Sequence, residues 1–247
     1  MTIPHRFNGP LESGQGGYSA GVVATFLEQP AEVSLRRPVP LDRPLRVQRD
    51  GDVRLFDGDD LIADGHTVAD VDVEVPEPVS VAVAREATSR YLGEREGGFS
   101  RCFVCGLARD DSFGVFPGEV PGRGVMATPW TPPQWTADDG GVVRPEFVWA
   151  ALDCPATFAP LLAGPVTTGF LARLSARIDG PVVAGDEHVI VAWPIAIDGR
   201  KFHSGAAIFS AGGELLAAAR ALLIAPRDQG ADTLGNAPAK GVARDLR

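Results

Sequence analysis

Lysine is almost missing from this chain: Lys201 and Lys240 are the only two in 247 residues, and the formal net charge is −9. Binding to nucleic-acid phosphates needs clustered cations, so no nucleic-acid partner is expected. A small anion stays open as a ligand, because a local group of arginines is enough to hold one. Cysteine is scarce and odd in number (Cys102, Cys105 and Cys154), which argues against a disulfide framework. No apolar run approaches the roughly 20 residues a bilayer demands, and the opening MTIPHRFNGPLESG has no charged-then-apolar leader. No membrane partner is expected, and the expected location is the cytoplasm. Also missing are a Gly-rich phosphate loop, a Ser-nucleophile elbow and a dinucleotide fingerprint at a strand-to-helix junction.

Hydrophobic residues make up 45% of the chain and charged residues 22%, which fits a globular protein able to bury one large core or two small ones. GGYSAGVVATFLEQP (Gly16 to Pro30) carries no charge before Glu28. It predicts a buried helix over about 18–28, stopped by Pro30. Strand-like pieces follow, with hairpin signals at Asp50-Gly51 and Asp57-Gly58. Residues 76–100 read as a connector with a short helix near 83–91, and GEREGG (Gly93 to Gly98) as its most linker-like stretch. Beyond it, RPEFVWAALDCPATFAPLLAG predicts a second buried helix. Pro145 suits its first turn, Glu146 faces the positive end of the helix dipole, and Gly164 closes the segment. Three more strands follow, with a hairpin at Asp198-Gly199. Residues 227–247 read as a polar, unstructured tail.

The two halves share one order: buried helix, strand, then hairpin-linked strands. LFDGDDLIADG (Leu55 to Gly65) also resembles IFSAGGELLAAAR (Ile208 to Arg220) in its residues, which predicts an internal duplication. The expected domains are 1–95 and 96–226, with 227–247 as the tail.

A sheet curled around one long apolar helix is the hotdog arrangement. GQGGYSAGVVA (Gly14 to Ala24) resembles the opening of the central helix in thioesterase-like hotdog proteins, a Gly-Gly pair followed by an apolar helix with a carboxylate about two turns in. RPEFVWAALDCPATFA (Arg144 to Ala159) resembles the carboxylate-bearing form of that helix. RCFVCG with GVFPG downstream is similar to a cysteine-containing opening seen in uncharacterised thioesterase-like proteins. The resemblance covers nearly the whole chain except the tail. It implies an α+β fold, a tandem double hotdog with two antiparallel sheets each wrapped around a central helix. It further implies hydrolysis of acyl-CoA or another acyl thioester without a cofactor.

Laid on that pattern, Gly16 and Gly17 hold the glycine positions of the first helix and Ala24 its carboxylate position. In the second helix Pro145 and Glu146 hold the glycine positions and Asp153 the carboxylate position. One composite site would keep both parts, with N–H groups at Gly17 and Tyr18 facing Asp153. Asp153, Gly17 and Tyr18 are thus the expected catalytic residues. Gly16, Ser19, Phe147, Trp149 and Thr168 are the expected substrate-binding ones, although Phe147 and Trp149 suit a core equally well. The bland alternatives are that Gly16-Gly17 makes a tight turn or close helix packing, and that Asp153 caps a helix break before Cys154-Pro155.

The chain departs from the pattern at two places. Fused double-hotdog thioesterases typically add a Thr and a Gln on later strands, and those positions fall near Leu171 and Ala221 here; Thr168, Ser175 and Arg220 are nearby polar substitutes. A non-catalytic acyl or acyl-CoA binding protein is therefore the alternative function. Cys102 and Cys105 form a C-x2-C pair, but no second pair or close His pair completes a zinc set, so no metal site is expected. Neither predicted central helix contains a histidine, which argues against hydratase chemistry. Arg36, Arg37, Arg173 and Arg177 lie on matching strands as solvated residues or as contacts for coenzyme A phosphates. The oligomeric state is not fixed by the residues, and a homodimer is compatible with them.

Overall fold

The computed structural model of the chain describes residues 1–93, 98–164, 166 and 168–227. Most of the expected linker (94–97) and of the expected tail (228–247) lies outside the described residues. Helix α1 spans Gly16–Ala24 and is followed by β1 (Ala31–Leu35), β2 (Arg46–Asp50), β3 (Asp52–Asp57) and β4 (Asp60–Thr67). Helix α2 (Val81–Thr88) leads to β5 (Gly118–Val120) and β6 (Val125–Trp130). Helix α3 (Pro145–Phe158) then precedes β7 (Phe170–Ile178), β8 (His188–Asp198), β9 (Lys201–Ser210) and β10 (Leu215–Ile224).

All ten strands belong to one antiparallel sheet, in the order β2-β3-β4-β1-β7-β10-β9-β8-β6-β5. The two expected sheets are thus continuous. They join where β1 pairs β7, with Ala31 opposite Ala176 and Val33 opposite Leu174, so each half satisfies the other's edge. Outward from that seam the strands run β1-β4-β3-β2 on one side and β7-β10-β9-β8 on the other. The matched hairpins are therefore equivalent in space as well as in sequence. Their turns use glycine where a side chain would be strained: Gly51, Gly58 and Gly199 all have positive φ.

The duplication reaches further than the strands. A short 3-10 turn at His5–Phe7 matches one at Gln134–Thr136. The isolated bridge Asn8–Gly14 matches Ala137–Val143, and the bond from Gln15 N–H to Phe7 C=O matches that from Arg144 N–H to Thr136 C=O. In each case the second copy follows the first at the same spacing, and that spacing carries Gly16 onto Pro145, Gly17 onto Glu146 and Ala24 onto Asp153.

Both central helices are buried, as expected from their composition. α1 packs on β1 and β4, α3 on β7 to β10, and the two helices cross each other. α1 starts earlier and stops sooner than the sequence predicts. Gln15 supplies an N-cap, its Oε1 accepting the Tyr18 N–H at 2.6 Å, and after Ala24 the chain tightens into 3-10-type bonds from Phe26 and Leu27. α3 runs unbroken through Pro155 to Phe158, so Asp153 caps no break. It lies inside the helix and is almost wholly buried. α2 begins at Ser80, whose hydroxyl accepts the Val83 N–H, and it packs on β5 and β6. No helix among the described residues is long and apolar enough to cross a membrane.

Candidate active site

Glycine sets the distance between α1 and α3. A Cβ placed on Gly17 would lie 2.5 Å from both Asp153 Cβ and the Trp149 carbonyl oxygen, closer than atoms pack. One turn on, a Cβ at Gly21 would lie 2.7 Å from Glu146 Cα. This close approach brings the carboxylate of α3 onto the first turn of α1. Asp153 Oδ2 accepts the Gly17 N–H at 2.7 Å and a Gln15 Nε2 hydrogen at 2.7 Å. Asp153 Oδ1 accepts the Thr157 hydroxyl at 3.2 Å. Burial pushes the Asp153 carboxyl up to about 7, against the opposing pull of the hydrogen bonds from Gly17, Thr157 and Gln15.

Asp153 lies against a pocket of about 500 Å³, a size suited to a small-molecule ligand. Its wall is apolar at Leu35, Val39, Phe99, Phe170 and Leu171, and Arg36, Arg37, Arg200 and Arg227 also line it. Arg36 pairs with Asp64 and Arg37 with Asp60. Arg200 and Arg227 make no ion pair among the described residues. Gly16, the first residue of α1, lines the same pocket, and its N–H has no acceptor among the described residues.

Of the expected residues, Asp153, Gly16 and Gly17 come together. Asp153 and Gly16 line the pocket, Gly17 meets Asp153 without lining it, and the others do not reach it. The Tyr18 N–H is taken by Gln15, and its ring stacks on Phe7 in an aromatic cluster with Phe147; burial pushes its hydroxyl up to about 12. Phe147 is core, packed against Phe113 and Trp135. Trp149 is fully buried beneath Gly21. Ser19 is buried with its hydroxyl unpaired among the described residues, and Thr168 lies outside the pocket wall. Ser175 and Arg220 line a separate surface cleft, where Ser175 donates to Glu32 and Arg220 pairs with Asp72. Arg173 and Arg177 are engaged away from the pocket, by Glu32 and by Asp70 with Asp179.

No protein-family model matches the sequence, and no curated protein does. Solved structures do match. The tesB protein of Mycobacterium avium subs paratuberculosis aligns over 92% of this chain and 91% of its own, with a TM-score of 0.58 at 16% identity. A Thermobifida fusca YX protein assigned as a thioesterase II aligns over 92% and 93%, with a TM-score of 0.56 at 14% identity. A Novosphingobium aromaticivorans protein assigned as a thioesterase aligns over 92% and 94%, with a TM-score of 0.53 at 15% identity. The chain has the α+β double-hotdog fold of these structures. At these identities the likeness is one of fold, and the chemistry must be argued from the residues.

In this double hotdog, sequence reasoning missed Gln15 and Thr157. Each was findable: Gln15 is the polar residue directly before the glycine pair, and Thr157 lies one helical turn after Asp153. Sequence spacing also hid a third neighbour. Cys154 on α3 meets the C-x2-C pair, with Cys102 Sγ 3.8 Å from Cys154 Sγ. Hydrogen bonds from Cys105 and Cys154 hold the Cys102 thiol below its ordinary range, while burial raises the thiols of Cys105 and Cys154.

Proposed function

We propose that the protein hydrolyses an acyl thioester, of the acyl-CoA class, at a single composite site between the halves 1–95 and 96–226. The observation that carries this reading is the Asp153 carboxylate, tied to the first turn of α1 and set in an apolar pocket that arginines also line. The apolar wall suits an acyl chain, and Arg200 and Arg227 suit the phosphates of its carrier.

In this reading Asp153 takes a proton from water as that water attacks the thioester carbon. The Gly16 N–H, at the positive end of α1, receives the developing oxyanion. When the tetrahedral centre collapses, the C–S bond breaks and the proton held by Asp153 passes to the leaving thiolate. Gln15 and Thr157 position the carboxylate. They supply an amide and a hydroxyl, the two group types that the family resemblance places on later strands, where this chain has Leu171 and Ala221.

The test is thiol release from short, long and aromatic acyl-CoAs, run beside Asp153→Asn. Release by the native protein, reduced at least a hundredfold in the variant, supports the reading. Equal release in both sinks it. The second reading is acyl-CoA binding without turnover, favoured by the Gly17 and Tyr18 N–H groups already having acceptors. Thermal stabilisation by one acyl-CoA with no thiol release would select it.

A further inference from the structure

We infer that Cys102, Cys105 and Cys154 form a three-thiolate site for a soft metal ion, zinc(II) foremost. The three sulfurs lie within 4.8 Å of one another. Four ligands placed tetrahedrally around zinc at the usual zinc–sulfur length have sulfurs about 3.8 Å apart. Cys102 and Cys154 already stand at 3.8 Å, so little movement is needed to close the site.

The loop that holds the first two ligands is built tightly. Cys102 N–H bonds to Phe99 C=O and Gly106 N–H to Cys102 C=O, each at 2.9 Å. A side chain at Gly106 is excluded, because its Cβ would lie 2.5 Å from the Cys102 carbonyl oxygen and 2.6 Å from that of Ser100. Cys154 enters from α3, where an unbroken helix fixes its position.

All three residues are buried, yet Cys102 and Cys154 line the pocket. An ion can therefore reach the sulfurs through the pocket, and a water molecule on that side completes the fourth position. Each thiol gives up its proton as the ion binds, so uptake releases three protons to solvent. Soft thiolates select zinc or copper(I) over magnesium or calcium. The ion would tie the 99–106 loop to α3 beside the pocket.

The experiment is metal analysis of the full chain purified from zinc-supplemented cells, followed by stripping with a chelator and titration with Co2+. About one zinc per chain is expected, together with the near-ultraviolet sulfur-to-cobalt charge-transfer band of tetrahedral thiolate coordination. Cys105→Ser, which touches neither the pocket nor Asp153, should weaken metal binding at least tenfold while circular dichroism stays native. If that variant fails to fold, protection of the native protein's thiols from a maleimide by added Zn2+ provides the same answer. No zinc after desalting, no cobalt band and no protection of the thiols would overturn the site.

Discussion

Replacing Gly17 with alanine tests the crossing on which the candidate site depends. On a helix with free space, this change gains about 1 kcal/mol, because alanine loses less entropy on folding. Here the new methyl would meet Asp153 Cβ and the Trp149 carbonyl oxygen, each at 2.5 Å. Both belong to the fixed part of α3, so no rotamer change relieves the contact. Carbon contacts settle near 3.5–4.0 Å, so α1 and α3 must part by about 1 Å. Overpacking of that kind costs about 1–3 kcal/mol. Stretching the 2.7 Å bond from the Gly17 N–H to Asp153 costs up to about 1.5–3 kcal/mol more. The net expectation is a loss of roughly 2–4 kcal/mol, read by urea unfolding, and a melting point lower by roughly 5–15 °C. Gly21→Ala is the comparison. Its methyl meets Glu146 Cα at 2.7 Å and Trp149 Cβ at 2.8 Å, so it too should destabilise, but it leaves the Asp153 contacts in place. On the proposed thioester hydrolysis, turnover per folded molecule should therefore fall far more in Gly17→Ala than in Gly21→Ala. A Gly17→Ala protein as stable as the native one would refute the reasoning, since the helices would then not be in contact there.

Two further expectations concern polar groups in the core. The Ser19 hydroxyl is buried with no partner among the described residues, so Ser19→Ala should raise stability by about 1 kcal/mol in urea unfolding; a loss of that size would mean that the hydroxyl is bonded in solution. Burial holds the His188 imidazole below its ordinary range, against the opposing influence of Asp186. The unfolded chain therefore takes up the proton first as pH falls. The stability tied to neutral His188 is complete above about pH 6.5 and declines below it, toward the lower folded value. His188→Gln should flatten the fall in unfolding free energy between about pH 7 and pH 5; parallel curves for the two proteins would refute this.

Much of the architecture is visible in the residues. The two charge-poor helical stretches, the glycine hairpins and the likeness between Leu55–Gly65 and Ile208–Arg220 are local patterns, and local patterns survive folding. What the sequence hides is long-range. The pairing of β1 with β7 depends on two edges meeting across the chain, and nothing at Ala31 or Ala176 advertises it. Phe147 and Trp149 show why a large apolar residue cannot be assigned to a ligand wall from sequence alone, since both are core. Tyr18 shows a different limit: its N–H donates to the cap made by Gln15, a residue outside the Ser, Thr, Asp and Asn set that signals a helix start. The cysteines show the limit most plainly, because the spacing of Cys102 and Cys105 carries no trace of Cys154, contributed by a distant helix.

The matched spacing of the two halves has a consequence for how such a molecule can change. Glu146 stands where the first copy has Gly17, and Ala24 stands where the second has Asp153. In an assembly of two identical chains, every substitution enters both helix crossings at once. A glutamate at the glycine position, or an alanine at the aspartate position, would then damage both together. A single chain carrying both helices escapes that coupling, because each copy can discard what the other retains. The reciprocal differences between Gly17 and Glu146 and between Ala24 and Asp153 are closed to a pair of identical chains and open to a chain that carries both units.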